Sequence, residues 1–122
     1  MKATPKRMRA IYTMLCQMPP FERWDLPPPH KIKFIILNDP EQHGHYWHSD
    51  DDSDRHEIAL NVFKHITLQD HIMLVAHEMG HMRQARIGRL PDSIEQSKLH
   101  NSAWQRIART ICEALGFPVG DF

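Results

Sequence analysis

The sequence predicts a small α+β domain. It comprises an N-terminal helix, a three-stranded mostly antiparallel sheet, a long central helix and a C-terminal helix, all in one unit spanning residues 1–122. Three observations carry that reading. Three stretches repeat apolar residues at the three- and four-residue spacing of a helix face. Between the first and second lie short runs of β-branched and aromatic residues bounded by turn signals. A length of 122 residues suits one hydrophobic core and is short for two.

In chain order, Thr4 suits an N-cap and Pro5 the first helical position. Met8, Ile11, Tyr12, Leu15 and Met18 then form one apolar stripe, stopped by Pro19 and Pro20. Met8, Met14 and Met18 are read as core packing. Phe21 to His30, with Trp24 and three consecutive prolines, is too apolar for a free linker and is expected to lie extended across the core. Lys31–Leu37 reads as a strand, Tyr46–His48 as a second and Glu57–Val62 as a third. The last two form a hairpin around the acidic run Asp50–Asp54. Thr67 to about Ile87 is the strongest helix signal, with Thr67 and Asp70 resembling a capping box and Ile72, Val75, Met79 and Met82 as its stripe. Gly88 and Pro91 end it. Ser102–Leu115 forms the last helix, with Asn101 as cap and Trp104, Ile107, Ala108, Ile111 and Leu115 as the buried face.

Composition excludes several classes. Apolar residues make up 41% and charged residues 25%, as in an ordinary globular domain. No apolar run approaches the roughly 20 residues of a membrane span, and the basic start lacks the apolar core of a secretory signal. Cys16 and Cys112 are too few for a disulfide scaffold, so a cytoplasmic location is expected. The formal charge is zero, which argues against a protein built mainly to neutralise phosphate. The charge is unevenly placed. Residues 1–10 carry four bases, 39–57 a net −6, and 83–109 a net +4.

The chemistry lies in His77-Glu78-Met79-Gly80-His81, an H-E-x-x-H pattern. Residues i and i+4 stand one turn apart on a helix face, so two imidazoles can reach one zinc ion. Glu78, beside the first ligand, is placed to take a proton from an activated water. Composition alone, with ten histidines, gives roughly 0.04 chance occurrences of the pattern. A catalytic zinc site needs a third protein ligand. The extended pattern with Gly at 84 and His at 87 is excluded by Gln84 and Ile87. Asp92, Glu95 and His100 are the downstream candidates. His100 is favoured, because a turn-back through Gly88 and Pro91 can return it to the helix, and Glu95 is the runner-up.

Residues 58–115 resemble the SprT-like zinc metallopeptidases, a minimal gluzincin group that includes the Spartan DNA–protein crosslink proteases. Three blocks carry the resemblance: Ile58-Ala59-Leu60-Asn61, Leu74 through His81, and His100 through Ile107. It implies a small zincin-like fold and a zinc cofactor held by His77, His81 and His100. It also implies Glu78 as general base, a protein or peptide substrate, and possible association with DNA. The His100 block matches the family's segment in which the third ligand opens the last helix and an aromatic residue follows four positions on. Asn101 stands where a Gly is frequent. Many members carry a cysteine zinc ribbon, and none follows here, so a ribbon-mediated hold on DNA is not expected. The compact size suits a phage or mobile-element gene.

Two other readings compete with this one. One is a zinc-stabilised binding module, weakly active or inactive, for a protein or DNA partner. The other is a regulatory protease of the ImmA/IrrE kind. The strand at Glu57–Val62 is expected to offer an edge to an extended peptide. Tyr46, His45 and His56 are candidate oxyanion stabilisers by residue type. His43, His45, His48 and His56 read as a polar hairpin end rather than a second metal site, and His71 as a surface residue. Arg83, Arg86, Arg89, Arg106 and Arg109 are read mainly as solvated charge suited to helix ends rather than a nucleic-acid patch.

Overall fold

The computed structural model describes residues 2–65 and 67–122, with only the backbone at 121. Among them are four α-helices and one three-stranded sheet: α1 (Pro5–Leu15), β1 (Ile32–Leu37), β2 (His45–His48), β3 (His56–Asn61), α2 (Leu68–Arg86), α3 (Gln96–Leu99) and α4 (Ser102–Leu115). The α+β expectation holds. Among the described residues no helix is long and apolar enough to cross a membrane.

Thr4 caps α1 by accepting from the Arg7 N–H at 3.1 Å, and Met8, Ile11, Tyr12 and Leu15 are buried. Met14 and Met18 are exposed, correcting their assignment to the core. Met14 lies off the stripe, and Met18 lies beyond the helix end at Leu15. The connector is not extended throughout. It makes two short 3₁₀ turns, Phe21–Arg23 and Pro29–Lys31, with Phe21 buried edge-on to Trp24. The Tyr12 hydroxyl donates to the Pro27 carbonyl at 2.5 Å, tying the connector to α1.

The sheet order is β1-β3-β2. β3 runs antiparallel to β2, as the hairpin expectation requires, and parallel to β1. The sheet is therefore mixed rather than mostly antiparallel. β3 is also the central strand, with Ile58, Ala59 and Leu60 buried as a strand covered on both sides demands. Both of its edges are occupied. Glu57–Val62 therefore cannot be the strand that receives a peptide, and the outer strands among the described residues are β1 and β2. Asn61 helps to set this order. Its Nδ2 donates to the Asp39 carbonyl at 2.6 Å and to the Gln42 carbonyl. Those bonds pin the loop that carries the chain from β1 past β3 to the outer position.

Thr67 and Asp70 form a complete capping box at the start of α2, with reciprocal bonds of 3.0 and 3.1 Å. α2 packs against α1 on one side and α4 on the other, and touches β2 and β3. Val75, Met79 and Met82 enter the core shared with Ile58, Leu60, Ile107 and Ile111. One helix thus links the sheet and both flanking helices, and it is the helix that bears the H-E-x-x-H pattern.

Candidate metal centre

His77 and His81 stand one turn apart on α2 with ring centroids 5.1 Å apart. His100 joins them from 19 positions further along the chain, at 5.2 Å from each. One ring nitrogen of each histidine lies within 4.8 Å of the other two. These three histidines are close enough to bind one metal ion. Local chemistry explains the return of His100. Gly88 takes a positive φ of 69°, the left-handed conformation that ends α2 at low cost. The Asn101 Nδ2 donates to the Arg89 carbonyl at 3.1 Å and closes the loop behind the turn. Asn101 also caps α4, its Oδ1 accepting from the Trp104 N–H at 3.0 Å, so His100 sits directly before an anchored helix start.

The hydrogen bonds decide which nitrogens face inward. His77 Nδ1 meets the Phe122 carbonyl oxygen at 2.8 Å, and an oxygen acceptor requires that Nδ1 carry the hydrogen. His81 Nδ1 meets Gln84 Oε1 at 2.7 Å in the same sense. Each ring keeps its Nε2 lone pair for a ligand role. His100 Nε2 is buried and has no hydrogen-bond partner. An orphaned buried imidazole nitrogen costs about 1–3 kcal/mol, a cost that a metal bond would offset. Burial lowers the pKa of His77 to about 3 and of His81 to about 4, and lowers that of His100, so the set is uncharged at neutral pH. Neutral imidazoles with oriented Nδ1–H groups are the donor set that zinc accepts.

Trp104 roofs the cluster. Its ring stacks on His81 at 4.2 Å and 14° and tilts over His77 at 4.6 Å. Gly80 makes this approach possible, since a Cβ there would lie 2.4 Å from Trp104 Cζ3. Gly80→Ala is expected to push Trp104 and the start of α4 outward, carrying His100 with them. The expected loss is about 1–3 kcal/mol in urea unfolding, together with weaker binding of any metal ion the three histidines hold. Wild-type values in both measurements would refute this account of Gly80.

Glu78 is 4% exposed, and burial pushes its carboxyl up to about 8. Together with His77 and His81 it lies in the wall of a cleft of about 1110 Å³. The Gly44–His48 edge forms one bank and the Leu90–Leu99 segment the other. Trp47 on β2 is 50% exposed and Ile94 on the opposite bank 93%.

Other candidates fall elsewhere. Glu95 is exposed, pairs with Lys98 at 3.7 Å and does not join the cluster. Asp92 lines the cleft outside the trio. The Tyr46 hydroxyl bonds His56 Nδ1 at 2.7 Å, and His56 Nε2 bonds Asp54 at 2.9 Å. His45 bonds Glu57 at 2.7 Å. Of these, Tyr46 and His45 line the cleft and His56 does not. Among the described residues these hairpin histidines gather no three-ligand cluster. His71 is buried, its Nε2 donating to the His65 carbonyl at 3.0 Å, which corrects the surface assignment. Arg83 lies over the Trp24 ring and Arg86 binds Asp25, so these two cations serve the fold. Residue-type reasoning missed Gln84, Phe122 and His43. Only His43, an imidazole that lines the cleft, carried a signal in its type.

No protein-family model, curated protein or solved structure matches this chain.

Proposed function

We propose that the chain is a small zinc-dependent metallopeptidase of the SprT-like kind, with a zincin-like fold. His77, His81 and His100 would hold the metal, and Glu78 would be the general base. The observation that carries this reading is the convergence of three oriented or orphaned imidazole nitrogens beside a buried carboxyl in the wall of an open cleft. Zinc bound there would supply Lewis acidity, polarising a peptide carbonyl and acidifying water. Glu78 would take the proton from the attacking water and pass it to the leaving amine nitrogen as the peptide bond breaks. Its dry surroundings suit that cycle, because a carboxyl raised toward neutrality both accepts and returns a proton readily. The outer edge of β2 would align an extended backbone across the cleft, a mode that binds main chain with little sequence demand.

A structural zinc site has no use for Glu78, and burying an unneeded carboxyl costs stability. That favours hydrolysis over the binding-module reading. The unpaired Cys16 and Cys112 fit a reducing cytoplasm. The test is hydrolysis of an unfolded protein such as casein. Activity is expected with one zinc per chain, lost on chelation and restored by zinc. Absence of hydrolysis by zinc-loaded protein, with and without single-stranded DNA, would reject the peptidase reading.

A further inference from the structure

We propose that Gln84 is a positioning residue for this centre, a single amide that sets which nitrogen His81 presents and holds the turn that carries His100. The inference rests on the metal-site reading above. Gln84 is fully buried on α2, one turn beyond His81.

Its orientation follows from a backbone group whose role is unambiguous. The Leu99 carbonyl oxygen can only accept, so the amide end facing it at 2.8 Å is the Nε2 donor. The other end is therefore Oε1, which lies 2.7 Å from His81 Nδ1. An amide oxygen can only accept, so the His81 hydrogen resides on Nδ1 and the lone pair on Nε2. Left to itself, a neutral imidazole distributes its hydrogen over both nitrogens, and its neighbours decide. Here the decision runs from a main-chain carbonyl, through one amide, to the ring.

The same amide nitrogen donates to Asn101 Oδ1 at 3.0 Å. Leu99 and Asn101 are the two chain neighbours of His100, so Gln84 grips the turn on both sides of the third histidine. His100 itself has no hydrogen bond holding its buried Nε2, and its ring position depends on that turn. Gln84 thus joins two histidines that lie 19 positions apart in the sequence. It does so with three well-formed bonds from a side chain that is itself fully buried, where each bond counts most. His77 is held separately, by the Phe122 carbonyl.

The test compares wild type with Gln84→Met, which keeps length and burial but removes both halves of the grip, and Gln84→Glu, which keeps the acceptor for His81. Histidine nitrogen shifts in the metal-free proteins report the tautomer, and competition with a chromophoric chelator reports zinc affinity. Wild type is expected to carry the His81 hydrogen on Nδ1. Gln84→Met should mix the tautomers and lose about 10–100-fold in affinity. Gln84→Glu should restore the Nδ1 hydrogen and bind zinc more tightly than Gln84→Met. A merely structural Gln84 would lower the melting temperature and leave the His81 shifts unmoved. The proposal is overturned by a wild-type hydrogen on Nε2, or by Gln84→Met retaining either the wild-type tautomer or the wild-type affinity. Should Gln84→Met fail to fold, the wild-type tautomer and the His81 tautomer of Gln84→Glu still decide, each expected to carry the hydrogen on Nδ1. Wild-type protein that binds no zinc would instead reject the peptidase reading, and the metal-free tautomer would still judge Gln84.

Discussion

Glu78→Gln is expected to cut casein hydrolysis by about 10²–10⁴-fold, the usual contribution of a general base, while zinc content stays at one per chain. The side chain keeps its shape and loses only its ability to exchange a proton. The metal-free protein should respond in the opposite direction. In the fold the Glu78 carboxyl is raised from 4.5 to about 8 by burial. A group with a raised pKa contributes fully below its unfolded value, and that contribution is lost as pH rises through its folded value. Between pH 4.5 and 8 the wild type therefore loses stability that the glutamine variant keeps. The variant should be more stable by on the order of 3 kcal/mol at pH 7, and no more stable at pH 4.5. Urea unfolding of both metal-free proteins at the two pH values checks this. An equal gain at both would show that the benefit does not come from the proton. Full hydrolysis by zinc-loaded Glu78→Gln would remove Glu78 from the mechanism.

Zinc itself is expected to be the largest single stabiliser, and His100 is expected to decide how tightly it is held. Zinc at about 1,000 times its Kd would add about 4 kcal/mol by mass action, which for a domain of this size raises Tm by roughly 10–20 °C. His100→Ala removes one of three donors. It should weaken zinc binding by more than the roughly 10–100-fold that loss of an outer hydrogen-bond partner produces. Glu95→Ala should change nothing, since Glu95 pairs with Lys98 away from the cluster. Elemental analysis and chelator competition on the three proteins check the pair. Acid should act through His77 and His81. Their pKa values are depressed to about 3 and about 4 in the fold. The unfolded chain therefore binds more protons below about 6.5, and the metal-free fold loses stability as pH falls from there. Zinc affinity should change little between pH 7 and 6 on their account, because both rings are already neutral. Equal zinc binding by His100→Ala and wild type would exclude His100 as a ligand.

What could be read from the sequence alone was local. Apolar spacing, caps and turn residues located α2, α4 and the three strands to within a residue or two and α1 to within three at its end, because these signals act between positions two to four apart. Thr67 with Asp70, Asn101 before Ser102, and Gly88 after α2 all behave as their chemistry demands. The spacing of His77, Glu78 and His81 needed only the helix period, so that part of the site was legible too. The short α3 escaped notice, since four residues carry too little periodicity to register.

Tertiary structure decided what depends on distant segments. A strand reads the same whether it is central or at an edge, so the sequence could not say that β3 lies between β1 and β2. Loop pinning by Asn61 and the pairing of both β3 edges settled that, and they moved the candidate peptide edge to β2. His71 and His100 are alike as residue types and each keeps one buried ring nitrogen without a partner, but the packing tied the His71 Nε2 to a backbone carbonyl and set His100 beside two more imidazoles. Gln84 announces nothing as a letter. It acquires its place only when a turn 15 residues away presents a carbonyl to its amide. The sequence by itself determined the elements, placed His77 and His81 on one helix face and favoured His100 as their partner. The fold brought His100 to the other two and oriented the cluster, because hydrogen-bond direction is set by the partners that a group meets and not by its neighbours in the chain.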